Sequence, residues 1–205
     1  MNFTKILCSG LFYFVGGISS AEDLRLLNQH EDHTNWLSYG QGYSNQRYSN
    51  LNQVTLSNVA KLTPAWIYQT GILGTFPTNP LVADGTMFIT TPFNHVVALN
   101  AVTGEEIWRY KHKQSQASLC CGSHNRGLAW GYGQLFMITA DARVIALNAS
   151  TGAITWDIPM VDPMSGEQAD LEGIRQYNDE TKPNFDLMTR FAGNMAPIVY
   201  DGKVF

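Results

Sequence analysis

The chain has 205 residues, 13 Lys and Arg against 17 Asp and Glu, a formal charge of −4, and charged side chains at 15% of positions. The acidic residues are dispersed and there is no basic patch, which excludes the electrostatic footprint of a nucleic-acid binder. With 44% hydrophobic residues, 12% aromatics, 18 glycines and no low-complexity tract, the composition is globular and β-rich.

The opening MNFTKILCSGLFYFVGGISSA has one early cation, Lys5, an apolar run from Ile6 to about Ile18, and small residues at Ser19 and Ala21. That is the plan of a secretory signal peptide over residues 1–21, cut near Ala21, and the apolar run is short for a membrane span. An uncleaved anchor is the weaker alternative. Cys8 lies inside this leader, without a convincing lipoprotein site before it. Cleavage removes Lys5 and makes the mature chain, residues 22–205, more acidic by one charge. Export implies an oxidising compartment, where a disulfide persists.

Self-similarity organises the rest of the chain. GTMFITTPFNHVVALNAVTGEEIWRY begins at Gly85 and GQLFMITADARVIALNASTGAITWDI at Gly133. Gly85/Gly133, Ala98/Ala146, Asn100/Asn148, Gly104/Gly152 and Trp108/Trp156 all keep one offset of 48. A period of this size marks a propeller or another stacked array. Each unit reads as four short strands, in the first at 80–83, 87–91, 96–100 and 106–110. Turns fall at Asp84-Gly85, Asn94-His95 and 101–104, where Asp, Asn and Gly suit the backbone angles. An indole at the end of each repeat, Trp108 or Trp156, can pack between neighbouring blades and donate its N–H to a carbonyl.

Between the repeats, SLCCGSHNRGLAW places Cys120 beside Cys121, and no other cysteine remains outside the leader. Neighbouring Cα atoms lie about 3.8 Å apart, whereas ordinary disulfides prefer roughly 4.4–6.8 Å. A bond between these sulfurs closes a small strained ring that adds little stability through chain entropy. Such a ring either shapes a local surface or takes part in redox chemistry. His124 is near enough to suggest a Cys-Cys-His metal site, but adjacent cysteines are awkward co-ligands and there is no second pair.

The second repeat runs from Leu128 to Ile158. Residues 162–189, polar and acidic with Pro163 and Pro183, read as a long solvated connection with a short helix around 166–176. A third repeat opens at APIVYDGKVF, where Asp201-Gly202 replaces Asp84-Gly85, and reaches Phe205 in mid-strand. A four-stranded blade cannot cover both its faces alone, and propellers typically take four to eight blades. The expectation is an all-β, incomplete β-propeller of four-stranded antiparallel blades, two to three of them, with an exposed apolar side. Completion of the ring by oligomerisation is the weaker alternative.

WLSYGQGYSNQRYSNLNQVTLSNVAKLTPAWIYQTG, residues 36–71, resembles the N-terminal module of the pyrroloquinoline quinone (PQQ)-dependent alcohol dehydrogenases, eight-bladed quinoproteins. The A-x-N-x-x-x-G-x-x-x-W strings at 98–108 and 146–156 look like that family's tryptophan-docking repeats, and CCGSHNRGLAW looks like its vicinal-cysteine segment. The resemblance implies that Cys120 and Cys121 form an eight-membered disulfide ring against one face of the quinone. It implies that Arg126 pairs with a cofactor carboxylate, a task suited to the two parallel bonds of a guanidinium fork. An ordinary loop salt bridge is the plain alternative for Arg126. Asn194 stands where members often have a threonine contacting the quinone, and an amide still donates and accepts. Pro77 stands where many have Glu and some Gln, and it offers no side-chain hydrogen bond.

The function so implied is a periplasmic dehydrogenase that oxidises an alcohol or a sugar with PQQ and calcium. Calcium polarises the quinone carbonyl, a carboxylate base activates the alcohol, and hydride moves to the quinone. Electrons then pass to a cytochrome c or to the quinone pool, with peripheral membrane association left open. The calcium ligands, catalytic aspartate and tryptophan floor are expected beyond residue 205, so no catalytic or metal residue is assigned, and this N-terminal part is expected to be inactive alone. The rival reading is a non-catalytic binding propeller of the outer-membrane assembly type. That reading predicts a lipoprotein leader and no Cys-Cys-Gly-x-x-Asn-Arg segment, the reverse of this sequence.

Overall fold

The computed structural model describes residues 12–13, 20–113, 122–160 and 193–205. In chain order, a two-residue strand β1 (Phe12–Tyr13) and a helix α1 (Ser20–Leu27) precede three groups of strands. The first group is β2 (Leu81–Ala83), β3 (Thr86–Thr91), β4 (His95–Asn100) and β5 (Glu106–Tyr110), an antiparallel meander in sequence order. The second, β6 (Ala129–Gly131), β7 (Gln134–Ile138), β8 (Arg143–Asn148) and β9 (Ile154–Pro159), repeats it. The third holds β10 (Val199–Tyr200) and β11 (Lys203–Val204), with β1 on the other side of β11.

The first two are the expected four-stranded blades, and the first-blade strands begin within one residue of their predicted starts. Pro80 stays outside β2 because it has no N–H to give to a ladder. The middle strands β4 and β8 are apolar and buried at four consecutive positions, since neighbours cover both their faces. Outermost β5 and β9 are largely exposed. The core runs from Leu81, Phe88 and Val96 through Leu135, Phe136 and Ile145 to Val199 and Val204, so the three sheets share one apolar interior.

Every letter of the repeated motif has a physical reason. Ala98 and Ala146 are fully buried and pair with Trp108 and Trp156 across the sheet, where a larger side chain would displace the indole. Asn100 Oδ1 accepts the N–H groups of Val102 and Thr103 at 2.9 and 3.0 Å, and Asn148 Oδ1 does the same for Ser150 and Thr151 at 3.0 and 3.1 Å. These local bonds close the turn after each middle strand. Gly104 and Gly152 end those turns at φ +74° and +72°.

The tryptophan of one repeat docks on that turn of the next. Trp108 donates its indole N–H to the Ala149 carbonyl at 3.1 Å and lies over Gly152. Trp66 does the same one unit earlier, donating to the Ala101 carbonyl at 3.2 Å and lying over Gly104. Arg109 fixes the Trp66 segment alongside β5 by donating to the Thr70 carbonyl and the Tyr68 hydroxyl, and Tyr68 donates to the Glu106 carboxylate. The same stretch shows the expected apolar exposure, with Leu56, Ile67 and Leu73 almost wholly uncovered.

A Cβ at position 152 would lie 2.5 Å from the Trp108 ring, in a backbone conformation that L side chains rarely adopt. Gly152→Ala is therefore expected to cost about 2–4 kcal/mol from overpacking and positive-φ strain together. A fall in the urea midpoint measures it.

The N-terminal segment lies across the inner strands of all three blades. Trp36 exchanges backbone hydrogen bonds with Val82 of β2, Leu37 accepts from the Trp130 N–H of β6, and the Tyr43 hydroxyl donates to the Val199 carbonyl of β10. Buried Gln41 braces this strap by donating to the carbonyls of Gln29, Asp32 and Asn35. Arg25 of α1 pairs with Asp84 at 2.7 Å and stacks 4.4 Å over Trp130, joining the helix to two blades at once.

The residues read as a leader enter the structure at two points. Phe12 and Tyr13 pair with Val204 and Lys203, and α1 spans the cleavage point expected near Ala21. Among the described residues no helix is long and apolar enough to cross a membrane. The connection at 162–189 and its expected helix lie outside the described residues.

Candidate cofactor-binding site

The short segments that lead into β2, β6 and β10 lie side by side. Asn79 and Gly127 form a parallel bridge, the Asn79 N–H donates to the Arg126 carbonyl at 3.1 Å, and the Arg126 N–H donates to the Asn194 carbonyl at 2.8 Å. Arg126 is thus held by its main chain between the first blade and the third.

Its two neighbours in Asn-Arg-Gly make that placement. Asn125 is 1% exposed; its Nδ2 donates to Asn94 Oδ1 at 3.1 Å and the Ile138 carbonyl at 2.8 Å, and its Oδ1 accepts the Gly127 N–H at 3.0 Å. The Thr90 hydroxyl donates to the Asn125 carbonyl at 3.2 Å. Gly127 has φ +135°, and a Cβ there would stand 3.2 Å from the Asn79 carbonyl oxygen, so a side chain would push the first blade away. Asparagine anchors inward, glycine permits the close approach, and the exposed arginine between them projects outward.

The Arg126 Nη1 donates to Asn194 Oδ1 at 2.5 Å, and Asn194 Nδ2 lies 2.8 Å from His124 Nε2. Arg126 also borders a cleft of about 460 Å³, walled by Tyr39, Tyr43 and Asn45 of the strap and by Met195 and Ile198 of the third-blade leader. Asn79 Nδ2 donates to the Tyr39 carbonyl at 2.7 Å, tying strap and site together. Among the described residues no carboxylate comes within ion-pair distance of Arg126, so the plain loop salt bridge is not formed there. An exposed guanidinium with one bond to an amide and no carboxylate beside it suits a ligand that brings its own carboxylates.

The structure therefore brings two of the four predicted site residues, Arg126 and Asn194, into direct contact. Cys120 and Cys121 lie outside the described residues. The described chain begins again at Gly122, with φ +87°, and the Ser123 carbonyl accepts the Phe93 N–H at 2.7 Å, fastening this segment to the β3–β4 turn. Pro77 is half-buried, and the adjacent Thr78 hydroxyl bonds to Thr90 at 2.8 Å. Two further contributors were not singled out from sequence, Asn79 and Asn125. Asn79 stands one repeat, 48 positions, before Gly127, and that offset was the signal that could have found it. The Cys-Cys-His metal site falls partly outside the described residues, and Nε2 of His124 faces an amide. Among the described residues no group of three or more His, Cys, Asp or Glu could hold a metal ion.

Residues 36–158 match the β-propeller domain of the PQQ glucose/ethanol/alcohol dehydrogenases. The chain belongs to this family. It is 33% identical over 197 residues to the dehydrogenase subunit of a quinone-type alcohol dehydrogenase from Gluconacetobacter polyoxogenes, covering 92% of this chain and 26% of that protein. It is 38% identical over 130 residues to a lanthanide-dependent methanol dehydrogenase from Methylorubrum extorquens, covering 61% of this chain and 22% of that one. Among solved structures, the quinohemoprotein alcohol dehydrogenase ADHIIG of Pseudomonas putida superposes with a TM-score of 0.69 at 29% identity, over 91% of this chain and 24% of that chain. The chain spans about a quarter of the length of the curated relatives it matches. Its two full blades and the start of a third are thus a partial PQQ-family propeller.

Proposed function

We propose that this chain is the cofactor-facing N-terminal part of an exported, periplasmic quinoprotein dehydrogenase that oxidises an alcohol or a sugar. The observation that carries the reading is Arg126, exposed beside a cleft, held by two other blade leaders and without a carboxylate partner among the described residues. When bound, PQQ with its metal ion supplies the acceptor for hydride from the alcohol. Arg126 binds a cofactor carboxylate, Asn194 aims the guanidinium, and the Cys120-Cys121 ring walls one face of the cofactor. The metal is calcium in this reading, and similarity to a lanthanide-dependent methanol dehydrogenase makes a lanthanide the alternative that metal loading distinguishes.

Metal ligands and the catalytic base are assigned to the part of the protein that corresponds to the remaining length of the relatives, and residues 1–205 are inactive alone. Electrons pass to a cytochrome c or a quinone. Similarity to quinohemoprotein and quinone-type dehydrogenase subunits supports such an acceptor.

PQQ binding, followed by quenching of tryptophan fluorescence, tests the assignment. Arg126→Ala is expected to weaken binding about 10- to 100-fold, the loss of one charge-assisted contact of about 1.5–3 kcal/mol. Arg126→Lys should fall between, because an ammonium keeps the charge and loses the fork. Unchanged affinity in Arg126→Ala removes the anchor role.

A further inference from the structure

We propose that His124 is a positioning residue for Arg126, acting through the Asn194 amide, and that it works only as the neutral ring with its proton on Nδ1. This role rests on Arg126 being the cofactor anchor, and it adds a proton-dependent control to that anchor.

One side-chain amide serves two neighbours. Asn194 Oδ1 faces Arg126 Nη1 at 2.5 Å, and Asn194 Nδ2 faces His124 Nε2 at 2.8 Å. A guanidinium has donors and no acceptor, so the amide must turn its oxygen towards Arg126. Its NH₂ group then has to face the imidazole. An NH₂ group only donates, so Nε2 must present a lone pair, and the ring proton sits on Nδ1.

A proton on Nε2 leaves no good arrangement. In the present orientation the amide NH₂ and the ring N–H oppose each other at 2.8 Å. Rotating the amide by half a turn satisfies the ring and sets NH₂ against the guanidinium at 2.5 Å. One contact must be given up, and Arg126 loses the acceptor that aims its fork. The main chains stay joined, because the Arg126 N–H still donates to the Asn194 carbonyl at 2.8 Å. The change is confined to the side chains.

The groups around the relay are few. The third-blade leader, residues 193–197, carries no titratable side chain. The β3–β4 turn, fastened to Ser123 through Phe93, brings His95, whose Nδ1 already accepts the His112 N–H. The charge facing His124 across the amide is Arg126, and among the described residues no carboxylate pairs with either. Cys120 and Cys121, which precede His124 in the sequence, lie outside the described residues.

The test uses the whole chain, ¹⁵N-labelled at histidine and arginine, with PQQ as the probe ligand. In the neutral ring, Nδ1 of His124 should be the protonated nitrogen. The Arg126 guanidinium signal should move at the pH where His124 takes up a proton, and that movement should vanish in Asn194→Ala. PQQ affinity should fall about tenfold across the same titration in the parent chain. It should stay level in His124→Gln, whose carbonyl accepts at every pH. A neutral His124 protonated on Nε2 overturns the inference without any variant or ligand. So does an Arg126 or PQQ-binding profile that is the same in His124→Gln as in the parent. If the NMR coupling is present but Arg126→Ala binds PQQ normally, the relay stands and the cofactor-anchor reading fails.

Discussion

Trp108→Ala should lower the unfolding free energy by about 3 kcal/mol, the low end of the range for aromatic truncations because the indole is only partly buried. The indole fills the space that Ala98 leaves opposite it and lies 5.9 Å from the Phe88 ring at a tilt of 39°. It donates to the Ala149 carbonyl at 3.1 Å and rests on Gly152. Truncation removes apolar contacts in two blades and leaves that carbonyl without its donor. Urea denaturation followed by circular dichroism reads the loss. The double variant with Gly152→Ala is the stronger measurement, because residues in contact do not add. With the ring gone, the added methyl meets no indole, and only the positive-φ strain of about 1–3 kcal/mol should remain. Strictly additive losses would mean that the indole does not rest on Gly152.

Asp141→Ala should also be damaging, by about 1–3 kcal/mol, because it strips the buried His112 Nε2 of the carboxylate it bonds to. Asp141 is wholly buried between β7 and β8, and His112, which comes just after β5, places Nε2 2.9 and 3.1 Å from its two carboxylate oxygens. The pair links the first blade to the second. The Tyr110 hydroxyl lies 3.2 Å from the other His112 ring nitrogen, and the His112 N–H donates to His95 Nδ1 at 3.0 Å.

This cluster limits stability at both ends of the pH scale. Burial, and then the charges of His112, Lys111 and Arg109, hold His95 below its ordinary value of 6.5. A depressed histidine contributes stability above its unfolded value and loses it as pH falls through the folded one. Tyr110 is pushed up to about 12 by burial first, then by Asp157 and Asp141, against the opposing effect of Arg143. A raised group contributes stability below its unfolded value of 10.0 and loses it as pH rises through the folded value. Asp141→Ala removes one of the charges holding Tyr110 up, so its ionisation should move towards lower pH. Ultraviolet titration of tyrosinate, with urea midpoints taken across the same range, checks both limbs. A Tyr110 titration unmoved by the variant would contradict the arrangement.

The blades were legible because their signals are local. Asn100 and Asn148 bond within three residues of themselves, and Gly104 and Gly152 turn at fixed distances from them. Trp66 carries no repeat signature, since no Ala-x-Asn-x-x-x-Gly precedes it, although it occupies the same seat as Trp108. The contacts of the strap, a segment marked only by resemblance, were invisible for another reason. Trp36, Leu37 and Tyr43 pair with residues 46, 93 and 156 positions away, through irregular backbone that has no period.

The candidate site divides in the same way. Arg126 and Asn194 were marked by family resemblance, and their contact across 68 positions is a product of the parallel blade leaders. His112 and Asp141, 29 residues apart, share no element, and a scan for ligand spacing finds neither. Non-local polar pairs are chosen by the packing of two finished blades, after local patterns have done their part.

In both described seats the tryptophan points forwards: Trp66 enters the first blade's turn, and Trp108 enters the second's. The array therefore has a polarity, like bricks with a peg on one end and a recess on the other. Units cut from tryptophan to tryptophan keep each indole with its own carbonyl and glycine. A cut elsewhere in the unit separates a peg from its recess, leaving an indole without its carbonyl and a glycine with nothing above it. The docking contact itself survives a duplication only in this one phase.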